Sequence, residues 1–101
     1  MPARFLLSPE AETQVGDIVE FIATDNEAAA IRVRDANYAA CQILAENPGI
    51  GHTREDLTDR PVNFWSVFSY LVVCNPASFP LEIISVTHAA RDVNALLRNS
   101  E

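Results

Sequence analysis

The sequence predicts an α+β domain in which an antiparallel sheet packs against a helical hairpin, with the element order β-α-α-β-β-β-α. Two neighbouring segments in the first half carry apolar residues at helical spacing, and only a short link separates them. Three segments rich in β-branched and aromatic residues follow, joined by short connections. Because the hairpin must bury its apolar stripe, we expect it to cover one face of the sheet.

The first two elements are a short strand at residues 3–7 and a helix that begins at Ser8-Pro9-Glu10. Ser is a good N-cap, Pro suits the first helical position, and acidic residues favour the first turn. The helix should end near Thr24-Asp25. Its apolar positions lie on one face: Ala11, Val15, Ile18, Val19 and Ile22.

The second helix is predicted to begin after Asn26, which can act as its N-cap, and to end at Asn47-Pro48-Gly49. The short link between the helices predicts an antiparallel hairpin. The small residues in its stripe would let the helices approach closely. That stripe is predicted to be Ala29, Val33, Ala36, Ala40, Ile43 and Leu44.

Residues 47–61 are predicted to form a polar loop. Gly49-Ile50-Gly51 lacks the third glycine and the Lys-Ser/Thr of phosphate-binding loops, and it follows a helix, so it indicates a turn.

Strands are predicted at 62–67, 68–74 and 81–87, with a turn at Asn75-Pro76-Ala77-Ser78. Short turns between sequential strands are typical of an antiparallel meander. Residues 88–98 are predicted to close the chain with a short helix.

Length and composition predict that residues 1–101 form a single domain of ordinary soluble type. No apolar run is long enough to span a bilayer, and the N-terminus lacks the features of a signal peptide, so we expect a cytoplasmic protein without membrane contact. Cys41 and Cys74 lie in apolar stretches and are expected to be reduced and buried. No Cys or His pair has metal-ligand spacing, so neither a metal site nor a cofactor is predicted.

The net charge of −7 comes from seven arginines and fourteen acidic residues. A chain this acidic is a poor non-specific binder of nucleic acid, because phosphate affinity comes mostly from cationic side chains. The acids are concentrated in residues 1–27, where only Arg4 opposes them. This segment is either a solvated helix face or a surface that attracts a basic partner.

The order of several motifs resembles the ParE/RelE family of toxins, over nearly the whole chain. The C-terminal segment is the most specific, because it is similar to the family's strand followed by H-x-x-R-D. The matching segments are Leu7-Ser8-Pro9-Glu10-Ala11, Leu44-Ala45-Glu46-Asn47-Pro48, Gly51 with the charged loop after it, Tyr70-Leu71-Val72-Val73 and Ile83-Ile84-Ser85-Val86-Thr87-His88-Ala89-Ala90-Arg91-Asp92.

The resemblance implies the toxin half of a type II toxin–antitoxin system of the plasmid stabilisation type, neutralised by a ParD-like antitoxin. In ParE-like members the target is DNA gyrase, and in RelE-like members it is mRNA on the ribosome. This chain has Cys74 and Asn75 where many relatives have an aromatic and a basic residue, and it is poor in cations. RNA cleavage needs cations or a tuned acid–base pair, so a ParE-type action by binding is favoured.

Each candidate residue has a structural alternative. Arg60, His88 and Arg91 would carry RNA cleavage if it occurred, but His88 and Arg91 can equally be structural, and Arg60 can pair with nearby acids. Arg60, Trp65 and Arg91 are candidates for target contact, although a Trp is also a common core residue. For the antitoxin, the candidates are Glu12, Asp17, Glu20 and Tyr70.

Three hypotheses follow: a gyrase-binding toxin, a ribosome-dependent mRNA endonuclease, and a non-toxic module that survives in the antitoxin complex.

Overall fold

A computed structural model describes residues 4–53 and 59–88 of the chain. It has the predicted α+β architecture, with a helical hairpin and a four-stranded sheet. A short 3-10 helix, Pro48–Ile50, lies in the predicted loop. The elements are β1 (Phe5–Leu7), α1 (Pro9–Ala23), α2 (Glu27–Glu46), β2 (Asn63–Val67), β3 (Tyr70–Asn75) and β4 (Leu81–His88).

Both helices begin at the predicted N-caps. The Oγ of Ser8 accepts a hydrogen bond from the backbone N–H of Ala11 at 3.0 Å, and Oδ1 of Asn26 accepts one from the N–H of Ala29 at 3.0 Å. Each cap satisfies one of the amides that a helix start leaves without a partner in the helix. The predicted helix starts are therefore confirmed, and α1 and α2 pack against each other across a link of three residues, as the predicted hairpin requires.

The strands lie in the order β1-β4-β3-β2. The pairs β2–β3 and β3–β4 are antiparallel, as the predicted meander requires. β1 adds a parallel pairing with β4, in which Leu6 lies opposite Glu82. The described sheet is thus mixed, whereas the prediction was an antiparallel sheet, and the first described strand is the neighbour of the last described one.

Most strand boundaries differ from the prediction by one or two residues, and two of the differences change how a residue is used. Phe68 and Ser69, expected in the third strand, form the turn between β2 and β3, where Val67 pairs with Tyr70. Phe68 has a φ of 54°, a left-handed conformation that a turn uses and a strand does not. His88, expected to open the last helix, ends β4 instead. The rest of that predicted helix, residues 89–98, lies outside the described residues.

Where β1 no longer pairs with β4, the side chains of Ser8 and Gln14 form hydrogen bonds with the β4 backbone. β1 covers β4 only as far as Ile83, and a β-bulge beside Ile84 shifts the register with β3. The Ser8 hydroxyl donates to the Ile84 carbonyl at 2.8 Å. Oε1 of Gln14 accepts from the Val86 N–H at 2.8 Å and from the Ser85 hydroxyl at 3.0 Å. Helix α1 therefore takes over part of the role of a strand at this edge.

The sheet buries apolar residues on both faces. On the face that the helices cover, Leu44 of α2 lies in one cluster with Val72, Ile83 and Val86 of the sheet. The second face buries a smaller cluster, Val62, Phe64, Leu71 and Val73. The nearly continuous apolar runs of β3 and β4 reflect this burial on two sides.

The buried face of α2 is rotated from the predicted stripe. Ala40 and Leu44 are buried as expected, but Ile43 is 47% exposed, and Ala29 and Val33 are only half-buried. The positions buried instead are Ala30, Asn37, Cys41 and Ala45. The prediction placed the larger aliphatic residues Val33 and Ile43 on the buried face. In the structure, α2 packs closely against its neighbours mainly through alanines and Cys41.

Candidate functional site

A groove between the two helices is the first candidate site. Its cavity volume is about 310 Å³, and it opens to solvent. Helix α1 contributes its residues from successive turns of one face, and helix α2 contributes the opposite wall. The lining residues are Glu12, Val15, Gly16, Val19, Glu20, Arg34 and Tyr38.

The α1 side of this inter-helix groove alternates charge with open space. Glu12, Gly16 and Glu20 are four residues apart along α1, so they lie on one face of the helix, one turn from each other. Gly16 leaves a gap between the two carboxylates, because a Cβ built at this position would meet no atom of the described chain within 4 Å. Along α1, the groove wall therefore presents the carboxylate of Glu12, the open space at Gly16 and the carboxylate of Glu20 in turn. Val15 and Val19 form its apolar part.

The α2 side supplies an aromatic ring and a cation. Tyr38 is 39% exposed, and its ring stacks on Phe5 of β1 with centroids 6.4 Å apart, which orients it. The Arg34 guanidinium forms its ion pair with the adjacent Asp35, at 3.2 Å. Within residues 4–53 and 59–88, neither Glu12 nor Glu20 has an ion pair, and the groove lining carries these two carboxylates against the one guanidinium of Arg34.

The structure brings together two of the four residues predicted to meet an antitoxin. Glu12 and Glu20 line the inter-helix groove. Asp17 is exposed on α1 but is not part of the groove lining. Tyr70 lies in the sheet and packs edge-on against His88, with ring centroids 5.6 Å apart.

A second cavity, of about 280 Å³, lies at the end of the sheet where Asn75 pairs with Glu82. It contains Arg60, one of the residues predicted to contact a target. Its other lining residues are Pro61, Val62, Asn75, Glu82 and Ile84. The guanidinium and the Glu82 carboxylate give this pocket both signs of charge, so it does not favour a phosphate chain over a polypeptide.

Trp65 is not part of the pocket that contains Arg60. It is half-buried beside the cluster on the helix-covered face, and its ring stacks on His52 with centroids 6.3 Å apart. His52 itself is held by two backbone hydrogen bonds to Phe64, of 2.9 and 2.7 Å. Arg91, the third predicted target residue, lies outside the described residues.

The two cysteines are free and fully buried, as predicted. Burial raises the pKa of the Cys41 thiol to about 12, and the neighbouring Cys74 thiol contributes to the rise. Burial also raises the pKa of Cys74. Neither is therefore a reactive thiolate at neutral pH. Among the residues that the structure describes, no cluster of His, Cys, Asp or Glu could hold a metal ion.

The sequence interpretation missed Gly16, Arg34 and Tyr38, which complete the inter-helix groove. A signal for Gly16 was present, because a glycine in the interior of a helical pattern lowers helix stability and calls for a reason. No comparable signal marked Tyr38, since helical spacing does not show which residues of two helices face each other.

Comparisons with known proteins agree with this fold. No sequence among the curated proteins matches the chain at a significant level. A solved structure described as the chromosomal ParDE TA system from P. aeruginosa is similar in fold, with a TM-score of 0.69 and 10% sequence identity, covering 86% of this chain and 96% of that one. The family model of the ParE toxin of type II toxin–antitoxin systems, parDE, matches residues 5–93. The chain therefore belongs to the ParE toxin family of type II toxin–antitoxin systems.

Proposed function

We propose that the chain is a toxin that inhibits DNA gyrase by binding it, and that a ParD-like antitoxin neutralises the toxin. One observation favours action by binding over RNA cleavage. Arg60 and His88, two of the three residues that cleavage would require, lie at opposite ends of the sheet.

The distance between the two ends can be read from the register of β3. At one end Asn75 pairs with Glu82, beside Arg60, and at the other Tyr70 pairs with His88. Five residue steps of extended strand span about 17 Å. In RNA cleavage the base acts on the attacking oxygen and the acid on the leaving oxygen of one phosphate, each within a hydrogen-bond distance of about 3 Å. The separation along the sheet therefore argues against joint action of Arg60 and His88 on one phosphate.

The chemistry of the side chains agrees with this. His88 is packed against the Tyr70 ring at the end of β4. Cys74, which stands where many relatives have an aromatic residue, is buried in the core and presents no group to a ligand. A protein that acts by binding needs neither a general base nor a cluster of cations. Since gyrase is a cytoplasmic target, the proposal also assigns the toxin to the cytoplasm.

For the target surface we propose Arg60, Trp65 and Arg91. Arg60 lines an open pocket, and Trp65 presents a half-buried ring that His52 holds in place. Arginine and tryptophan are frequent anchors of protein interfaces. Because the pocket and the tryptophan are separate, they would contact different parts of a large partner.

For the antitoxin surface we propose the acidic face of α1 with Glu12, Asp17 and Glu20, together with Tyr70. The inter-helix groove supports Glu12 and Glu20 as contacts, because they line it beside apolar side chains and neither has an ion pair with another described residue. An antitoxin segment with basic residues would compensate this charge.

The test compares two activities of the purified toxin. We expect it to inhibit supercoiling by DNA gyrase, to leave ribosome-bound mRNA intact, and to arrest growth on expression unless the antitoxin is co-expressed. Trp65→Ala and Arg60→Ala should weaken gyrase inhibition, whereas Thr13→Ala, an exposed change on α1, should not. Codon-specific cleavage of ribosome-bound mRNA would refute the proposal, and so would the absence of any growth effect.

A further inference from the structure

Nothing in the fold of α1 explains why position 16 is a glycine. No described glycine has a positive φ, so the backbone at Gly16 is open to any residue. No atom of the described residues lies within 4 Å of the place where a Cβ would stand, so their packing does not exclude a side chain either. A glycine inside a helix destabilises it relative to alanine. The glycine therefore lowers the stability of the helix, and no contact among the described residues requires it.

The empty space at Gly16 opens into the inter-helix groove. Val15 and Val19 lie beside it on α1, and Tyr38 lines the same groove from α2. Gly16 is exposed, so the space is open to solvent. This space, the hole at Gly16, leaves room for one apolar side chain of another molecule to reach the backbone of α1.

The two carboxylates beside the hole indicate which charges the partner carries near that apolar side chain. Glu12 and Glu20 lie one helical turn to either side, so their backbones are about 12 Å apart at 1.5 Å per residue. Arg34 pairs with Asp35, and neither glutamate has an ion pair in the described part of the chain. A partner that carries cations at the same separation would neutralise both.

We propose that Gly16 is a specificity-determining position for the antitoxin: it accepts one bulky apolar side chain, and Glu12 and Glu20 bind basic residues on either side of it. The inference rests on the proposed function, because the occupant is the antitoxin. A second copy of this chain fits poorly, since it would bring its own acidic α1 and a net charge of −7 to the same groove. Electrostatic complementarity therefore selects a basic segment of a different protein.

The test measures binding of the full-length ParD-type antitoxin encoded with this chain, by titration calorimetry. Gly16→Leu fills the hole and should weaken binding at least 100-fold, and Gly16→Ala should weaken it several-fold. Both variants should melt at or above the wild-type temperature, because leucine and alanine are better helix formers than glycine. Gly49→Ala is the matched control, since this glycine also has no atom within 4 Å of a Cβ but lies outside the groove, and its affinity should stay within twofold.

The charge component is tested with the double variant Glu12→Gln and Glu20→Gln. It should bind more weakly at low salt and lose most of the wild-type dependence of affinity on NaCl concentration. Wild-type affinity in folded Gly16→Leu would overturn the inference while leaving the antitoxin as a partner. A wild-type toxin that does not bind the antitoxin at all would instead refute the proposed function. A wild-type homodimer that Gly16→Leu disrupts would assign the hole to self-association and overturn the inference.

Discussion

The side chain of Gln14 offers a direct test of how α1 completes the edge of the sheet. Its Oε1 accepts hydrogen bonds from the Val86 N–H and the Ser85 hydroxyl, at 2.8 and 3.0 Å. Val86 and Ser85 are only 1% and 3% exposed, so Gln14→Ala leaves buried donors without an acceptor. An unsatisfied buried donor costs about 1–3 kcal/mol.

We expect Gln14→Ala to lower the free energy of unfolding by about 2 kcal/mol, because the amide of Val86 cannot turn away whereas the hydroxyl of Ser85 can. The better helix propensity of alanine opposes this by a few tenths of a kcal/mol. For a domain of this size the melting temperature should fall by roughly 8–15 °C. Urea unfolding, followed by circular dichroism, measures the free-energy change.

Two further variants separate the hydrogen bonds from general damage to the helix. Gln14→Glu keeps an oxygen acceptor at the same place and should lose less than half as much stability. Thr13→Ala, exposed on the next position of α1, should change stability by less than about 0.5 kcal/mol. If Gln14→Ala were as stable as Thr13→Ala, the proposed role of Gln14 at the edge of β4 would be wrong.

Three more changes test other parts of the structure. Ser8→Ala removes the cap of α1 and the hydrogen bond to the Ile84 carbonyl, and should destabilise the protein by about 1–2 kcal/mol in urea unfolding. Gly51→Ala should destabilise it by about 1–3 kcal/mol, because the new Cβ would lie 2.9 Å from the Asn63 Cβ. Since the pKa of the Cys41 thiol is raised from 9.0 to about 12, its contribution to stability is present below pH 9 and is lost as the pH rises toward 12. Wild type should therefore lose more stability than Cys41→Ala between about pH 8 and pH 10.

Each of these three changes has its own control. Asn26→Ala removes only an exposed cap, so it should cost less than Ser8→Ala, and an equal cost would contradict the second hydrogen bond of Ser8. Gly49→Ala has free space around the new Cβ and should be neutral. Parallel pH profiles of wild type and Cys41→Ala would show that the thiol is not buried in solution.

The helix boundaries were predictable because local chemistry determines them. Ser8 and Asn26 cap their helices through bonds that span only three residues, and such bonds depend on nearby sequence alone. The turn at Phe68 was not predictable in the same way. Residues 64–74 contain no Gly, Pro, Asn or Asp to mark a turn, and only the pairing of Val67 with Tyr70 shows where the chain reverses.

The inter-helix groove was predicted in part. The acidic character of α1 is visible in the sequence, and Glu12 and Glu20 were identified from it. Tyr38 and Arg34 were not, because the rotation of α2 about its axis depends on packing against two other elements. The buried Asn37 illustrates the difficulty: a polar residue on the core side of α2, held by a hydrogen bond to the Val33 carbonyl, shifts the buried face away from the one that hydrophobicity predicts.

The parallel pairing of β1 with β4 has a consequence for synthesis on the ribosome. Ser8 and Ile84, joined by a hydrogen bond, are separated by 76 positions in the chain. The first strand and both helices are therefore translated long before the strand that they pack against, and closing so long a loop makes folding slow. A polypeptide released before residue 81 would contain the hairpin without β4, the strand on which it rests. Premature termination would thus leave β1 without the strand that it pairs with, and would separate it from β2 and β3.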